Sequence, residues 1–170
     1  MPILSTMGLK NIYIAPASSD GNMPTQGSSW KSLGDVYQET CTLKDDDPEI
    51  TEHKSETSKK KITLVGETST NVELSLMDPD LAQLSAYFGG TVSGEGNNRK
   101  WTRPRKLPYK EFAVWIEPQE GFFVGCPNVV IIPKFEITYS SKGICLVPMT
   151  IKLQAELMWD ESMTDPTGGA

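Results

Sequence analysis

The chain has 170 residues, a net charge of −6 and 38% hydrophobic residues, enough for one domain that buries roughly two-thirds of its unfolded surface. The acidic balance argues against general nucleic-acid binding. No run nears the ~18 apolar residues of a membrane span, so no membrane partner is expected.

Residues 1–10 read as an arm within a single domain over 1–170. The start lacks a basic stretch followed by a long apolar core, so no secretory leader is expected. Asn11 to Ala15 is a short strand. Pro16 to Ser29 is rich in Ser, Gly, Pro and Asn and reads as a loop, with Trp30 and Leu33 anchoring its end. Gly34 to Tyr37 leads into a further strand over Glu39 to Leu43.

The next stretch is unusual. Ile50 to Thr57 (ITEHKSET) is extended but polar on both faces, and Lys59 to Glu67 (KKKITLVGE) follows it. Together they predict a β-hairpin with one mostly polar arm. Such a strand has little reason to form in a monomer's core. It makes sense if one face looks into water and the other meets a partner chain. The candidate interface is therefore Glu49, Thr51, Glu52, His53, Lys54, Ser55, Glu56, Lys59 and Lys60. A solvent-exposed edge hairpin or a flexible loop is the alternative.

In Asn71 to Val92, Val72, Leu74 and Leu76 alternate with polar residues, the period of a half-buried strand. Asp78 offers an N-cap acceptor, Pro79 suits a first helical position, and Asp80 adds charge at the positive end of the helix dipole. Leu81, Leu84 and Phe88 share one helical face and are expected to pack the helix against the sheet. Gly89-Gly90 ends the helix.

Ser93 to Asn98 is a turn. The segment 99–110 carries Arg99, Lys100, Arg103, Arg105, Lys106 and Lys110 and no acid. Trp101 and Tyr109 interleave with these bases, as on a stacking surface for nucleic acid; a solvated loop with its aromatics packed back is the preferred reading. Phe112, Val114 and Ile116 alternate with Ala113, Trp115 and Glu117 in a strand. Val129, Ile131, Phe135, Ile137 and Tyr139 are expected on one face of a long strand, with Pro133 at an edge or bulge. Val147 to Leu157 is the cleanest alternation in the chain, and Asp160 to Ala170 reads as a flexible tail. The sum is a mainly β fold, a β-sandwich or barrel of about seven to eight strands with one short flanking helix.

Little in the sequence points to chemistry. His53 is the single histidine and has no evident triad partners. Cys41, Cys126 and Cys145 have no close pair and are expected as reduced, buried thiols; with that distant histidine they make a poor zinc set. Asp45-Asp46-Asp47 with Glu49 lacks the glycine turn and terminal glutamate of a calcium loop and reads as a solvated turn. No phosphate-binding, dinucleotide-binding or nucleophile-elbow motif is present. No catalytic residue, metal or cofactor is assigned.

The succession PEITEHKSET, KKKITLVGE and NVELSLMDPDLAQLSAYFGGTV resembles the major tail tube proteins of long-tailed bacteriophages, those of phages and prophages of Bacteroides-like hosts in particular. The resemblance covers roughly residues 35–158. It implies a β-sandwich subunit with a flanking helix, six copies closing into a ring, and rings stacking into a tube that conducts DNA. It implies a virion location after assembly in the host cytoplasm, with copies of itself and other tail proteins as partners. It carries no catalytic residues. An acidic lumen would let DNA slide rather than stick, so the basic segment 99–110 is expected outside it or between subunits. Two readings compete: a β-sandwich module that binds carbohydrate or protein on a platform of Trp101, Tyr109 and Trp115, and a small enzyme using scattered carboxylates.

Overall fold

The computed structural model describes residues 7–160 and Pro166. Its strands are β1 (Asn11–Pro16), β2 (Lys31–Ser32), β3 (Thr42–Asp45), β4 (Ile50–Lys54), β5 (Lys61–Val65) and β6 (Thr70–Met77). The helix α1 (Leu81–Phe88) follows, then β7 (Thr91–Ser93), β8 (Lys100–Thr102), β9 (Glu111–Glu117), β10 (Phe123–Pro133), β11 (Glu136–Ile137), β12 (Cys145–Leu153) and β13 (Met158–Asp160). The fold is mainly β, as the alternation predicts.

Nine strands form one antiparallel sheet in the order β2-β1-β9-β10-β12-β6-β3, with β11 beside β12 and β13 beside β10. The sheet rolls until its two ends meet. The stretch 33–37 makes the closure: Leu33 donates its N–H to Ile12 of β1, Tyr37 donates to Ser75 of β6, and Met77 of β6 donates to Asp35. Joining the ends removes edges that would otherwise invite pairing with other chains.

The barrel wraps one apolar core. Ile12 and Ile14 come from β1, Val72, Leu74 and Leu76 from β6, Val114 from β9, and Val147, Met149 and Ile151 from β12. A β-bulge between Cys126 and Val129 keeps β10 in this scheme. Before it the even-numbered Cys126 faces the core; after it the odd-numbered Val129 and Ile131 do. One extra residue flips the side-chain parity, and Pro127, lacking an N–H, sits at the break.

The helix lies over this barrel with Leu84, Tyr87 and Phe88 buried and Leu81 half-buried. Its cap differs from expectation. Asp80, not Asp78, is the N-cap: its carboxylate accepts from the Gln83 amide at 2.8 Å, and the Gln83 side chain accepts from the Asp80 amide at 3.0 Å. That reciprocal pair satisfies two helix-end donors at once. Asp78 instead has φ 41°, in the turn that brings β6 into the helix. At the other end Gly90 has φ +88°, and a Cβ there would fall 2.1 Å from the Thr102 carbonyl oxygen, so only glycine fits.

Several strand expectations shift. The strand placed over Glu39 to Leu43 runs from Thr42 to Asp45, so Asp45 belongs to a ladder and not to a turn. The long strand expected through Tyr139 ends at Pro133; Ile137 is 41% and Tyr139 93% exposed. The last strand stops at Leu153, and the chain returns as β13 with Asp160 opposite Phe123, so Asp160 is strand and not tail. Both faces of β9 are buried, because Ala113 and Trp115 join Ala15, Trp30 and Phe123 in a second cluster on the outside of the barrel. Of the three free thiols, Cys126 is buried, whereas Cys41 and Cys145 are half-buried. The expected arm and tail are described only at residues 7–10, Asp160 and Pro166; the rest of both lies outside the described residues.

Candidate assembly interface

The hairpin predicted from its polarity is the outer part of a longer ribbon. Strands β3 and β4 form one arm and β5 and β6 the other. Thr42 faces Glu73, Asp45 faces Thr70, Ile50 faces Val65 and Lys54 faces Lys61, with no residue inserted in either arm. Asp46 donates to Ser69 and Gly66 to Glu49 between the two ladders. The short gap falls at Pro48, which has no N–H to give. The inner half of the ribbon is barrel wall. The outer half leaves the barrel, and all residues of β4 and β5 are exposed.

The ribbon has two unlike sides. Side chains alternate along each arm, so Leu43 and Val72 share a side with the pairs Thr51–Leu64 and His53–Ile62 further out. In the barrel that side is core: Val72 is 1% exposed. Beyond the barrel that side passes the polar pair Asp45–Thr70 and then Glu49, and further out it carries Ile62 and Leu64, 47% and 54% exposed, opposite His53 and Thr51. The opposite side is mostly charged. Lys44 pairs with Glu73 at 3.0 Å, and Glu52 sits between Lys61 at 2.6 Å and Lys54 at 3.9 Å. Ile50 and Val65 interrupt it near the foot of the projecting part.

The turn at the tip is held by hydroxyls. Ser55 Oγ accepts from the Thr57 and Ser58 amides, Ser58 Oγ accepts from the Lys60 amide, and the Ser55 amide donates to the Lys60 carbonyl. Glu56, Lys59 and Lys60 therefore project from an ordered turn, all exposed. Glu49 lies at the foot, where its carbonyl accepts from Gly66. The nine candidate residues thus lie on one projecting element. Sequence reasoning missed its apolar members Ile62 and Leu64; the signal was the ITLV run inside KKKITLVGE, with no core left to receive it.

The basic segment is tied to the helix end. Trp101 Nε1 donates to the Gly89 carbonyl at 2.9 Å, and the Arg103 guanidinium lies 5.1 Å from the Phe88 ring centroid and 5.4 Å from that of Phe135. Phe88 and Phe135 stack with centroids 4.6 Å apart. Trp101 is packed back as expected, but Tyr109 is 69% exposed. Trp115 is buried in the outer cluster, away from Trp101, so the three aromatics form no common platform. Among the described residues no group of three His, Cys, Asp or Glu side chains is arranged to hold a metal ion.

No protein-family model and no curated protein matches this chain. Among solved structures it is similar to a chain from the tail of an empty GTA particle computed with C6 symmetry, at 12% identity over 88% of this chain and 93% of that one, with a TM-score of 0.47. It is similar to a chain of the six-fold symmetrised anti-feeding prophage baseplate at 8% identity, covering 93% and 96% of the two chains, with a TM-score of 0.49. A chain of the PVC sheath–tube complex, an extracellular contractile injection system in the extended state, is similar at 11% identity, 94% coverage of both chains and a TM-score of 0.44. All three scores lie below 0.5, and none of the three fixes a role for this chain.

Proposed function

We propose that this chain is a structural subunit of a phage-type tail tube, which self-assembles into stacked, six-membered rings around a channel that passes DNA. Its place is the tail of the particle, where other tail proteins cap or flank the rings, after assembly in the host cytoplasm. The observation that carries the reading is the projecting ribbon. A barrel with its own closed wall and filled core also extends two strands that are exposed along their whole length, with Ile62 and Leu64 uncovered on one side and Ile50 and Val65 on the other. A monomer gains nothing from that arrangement; a ring of copies covers it. The sequence resemblance over roughly residues 35–158 points the same way. The carbohydrate- or protein-binding alternative is disfavoured by the burial of Trp115 apart from Trp101.

Sedimentation and negative-stain imaging of the full chain over a rising concentration series test the proposal. Ring-sized particles or tubes are expected. Deleting Glu52 to Lys60 removes only exposed residues, so the shortened chain stays folded by circular dichroism but remains monomeric. A wild-type chain that is monomeric at every concentration and salt overturns the proposal.

A further inference from the structure

We propose that the tip of the ribbon seats in a cleft at the foot of the same ribbon on a second copy, a head-to-tail contact that rests on the assembly reading above. The cleft has a structural origin. The ladder between β12 and β6 ends where Lys152 faces Asn71, and β12 itself ends at Leu153. The chain then turns away to form β13 against β10, while the ribbon runs on outward. The space left between them is an open cleft of about 780 Å³ bounded by residues 67–70 and 153–157. Leu153, Ala155 and Leu157 line it, each half-buried, and the exposed carboxylates of Glu67 and Glu156 stand on its rim.

The tip has the complementary character. Ile62 and Leu64 are uncovered on one side of the projecting ladder; at the turn Glu52 pairs with Lys54 and Lys61, while Lys59 and Lys60 have only Glu56 beside them in the turn. Among the described residues Lys59, Lys60, Glu67 and Glu156 take part in no ion pair. Uncovered Ile62 and Leu64 with the unpaired lysines of the turn thus match a cleft that sets Leu153, Ala155 and Leu157 beside the carboxylates of Glu67 and Glu156, the rest of its lining being hydroxyls and the Gln154 amide.

The occupant has to be another copy. Tip and foot are two ends of one hydrogen-bonded ribbon, separated by the length of the β4–β5 ladder, roughly 17 Å for five residues per arm. The tip cannot reach its own foot without breaking that ladder. A contact between two different patches is heterologous, so it propagates from copy to copy until a ring closes or a stack grows.

The test uses two full-length variants. One carries Lys59→Glu with Lys60→Glu, reversing the tip; the other carries Glu67→Lys with Glu156→Lys, reversing the rim. Light scattering gives the concentration at half-assembly, and thermal melting checks the fold. Each variant alone sets like charges against each other, so its half-assembly concentration is expected to rise at least roughly tenfold. In an equimolar mixture every tip finds an opposite rim, and assembly is expected to return near the wild-type concentration. Assembly of either variant alone at the wild-type concentration, or a mixture that stays dispersed while both variants melt like wild type, overturns this contact and leaves the assembly reading standing. A wild-type chain that never assembles overturns both.

Discussion

The hydroxyl of Tyr87 donates to the main-chain carbonyl of Leu33. Leu33 in turn donates its own N–H to Ile12 at 2.8 Å. One line of hydrogen bonds therefore runs from the helix, through the segment that closes the barrel, into β1. The helix holds shut the point where the rolled sheet meets itself. Leu33 is fully buried and Tyr87 is 6% exposed, so no water replaces the bond if it is lost.

Removing that hydroxyl by Tyr87→Phe keeps the ring in place and leaves the Leu33 carbonyl without this donor. The expected cost is about 1–2 kcal/mol, read as a lower denaturation midpoint. Alkaline pH gives a second readout. Burial, and then the negative charge of Asp80, push the Tyr87 phenol well above its ordinary value of 10.0. Its folded pKa is raised, so the neutral form stabilises the fold. That stability is fully present below pH 10 and is lost as pH rises beyond it, because the unfolded chain ionises first. Wild type should lose part of its advantage over Tyr87→Phe between pH 8 and pH 11. A constant difference across that range shows that the phenol does not sit in this bond.

The helix cap distinguishes two aspartates that look alike in sequence. Asp80 makes the reciprocal cap with Gln83, and Asp80→Ala is expected to cost about 1 kcal/mol. Asp78 has φ 41° and makes no such cap, so Asp78→Gly is expected to change stability by less than about 0.5 kcal/mol. Urea denaturation of both variants checks the assignment. The reverse order of effects would return the cap to Asp78.

Much of the barrel is legible in sequence because one side of each strand meets the core. Val72, Leu74 and Leu76, and again Val147, Met149 and Ile151, alternate with polar residues for that reason. Where a strand is buried on both sides, as at Ala113 to Trp115, the strand itself is legible, but its second set of residues gives no sign of the outer cluster it forms with Ala15, Trp30 and Phe123. The bulge at Cys126 to Val129 changes parity within one strand, so no single period describes it. The closure by residues 33–37 and the return of Met158–Asp160 depend on distant partners and leave no local trace. The projecting hairpin was legible for a different reason: β4 lacks the core pattern altogether. Its continuity with β3 and β6 was hidden by Pro48 and Gly66, residues that ordinarily mark a break.

The two sides of that ribbon yield the last prediction. Ile62 and Leu64 are about half exposed in the single chain and touch no core, so the double variant Ile62→Ser, Leu64→Ser should melt within a few degrees of wild type. In an assembly they have a partner surface to meet. Covering their remaining exposed area is worth about 1 kcal/mol each, half of a full side-chain burial. Their loss should raise the concentration at half-assembly by roughly thirtyfold. The charged side is the control. Glu52 bridges Lys61 and Lys54 in water, where such pairs are worth at most about 1 kcal/mol, and Glu52→Ala should leave assembly nearly unchanged. Light scattering on both variants, with melting curves alongside, separates the sides. Equal effects from the two would mean that the ribbon does not present its core-continuous side to a neighbour, and a large melting loss in the double variant would place Ile62 and Leu64 in the monomer's own packing.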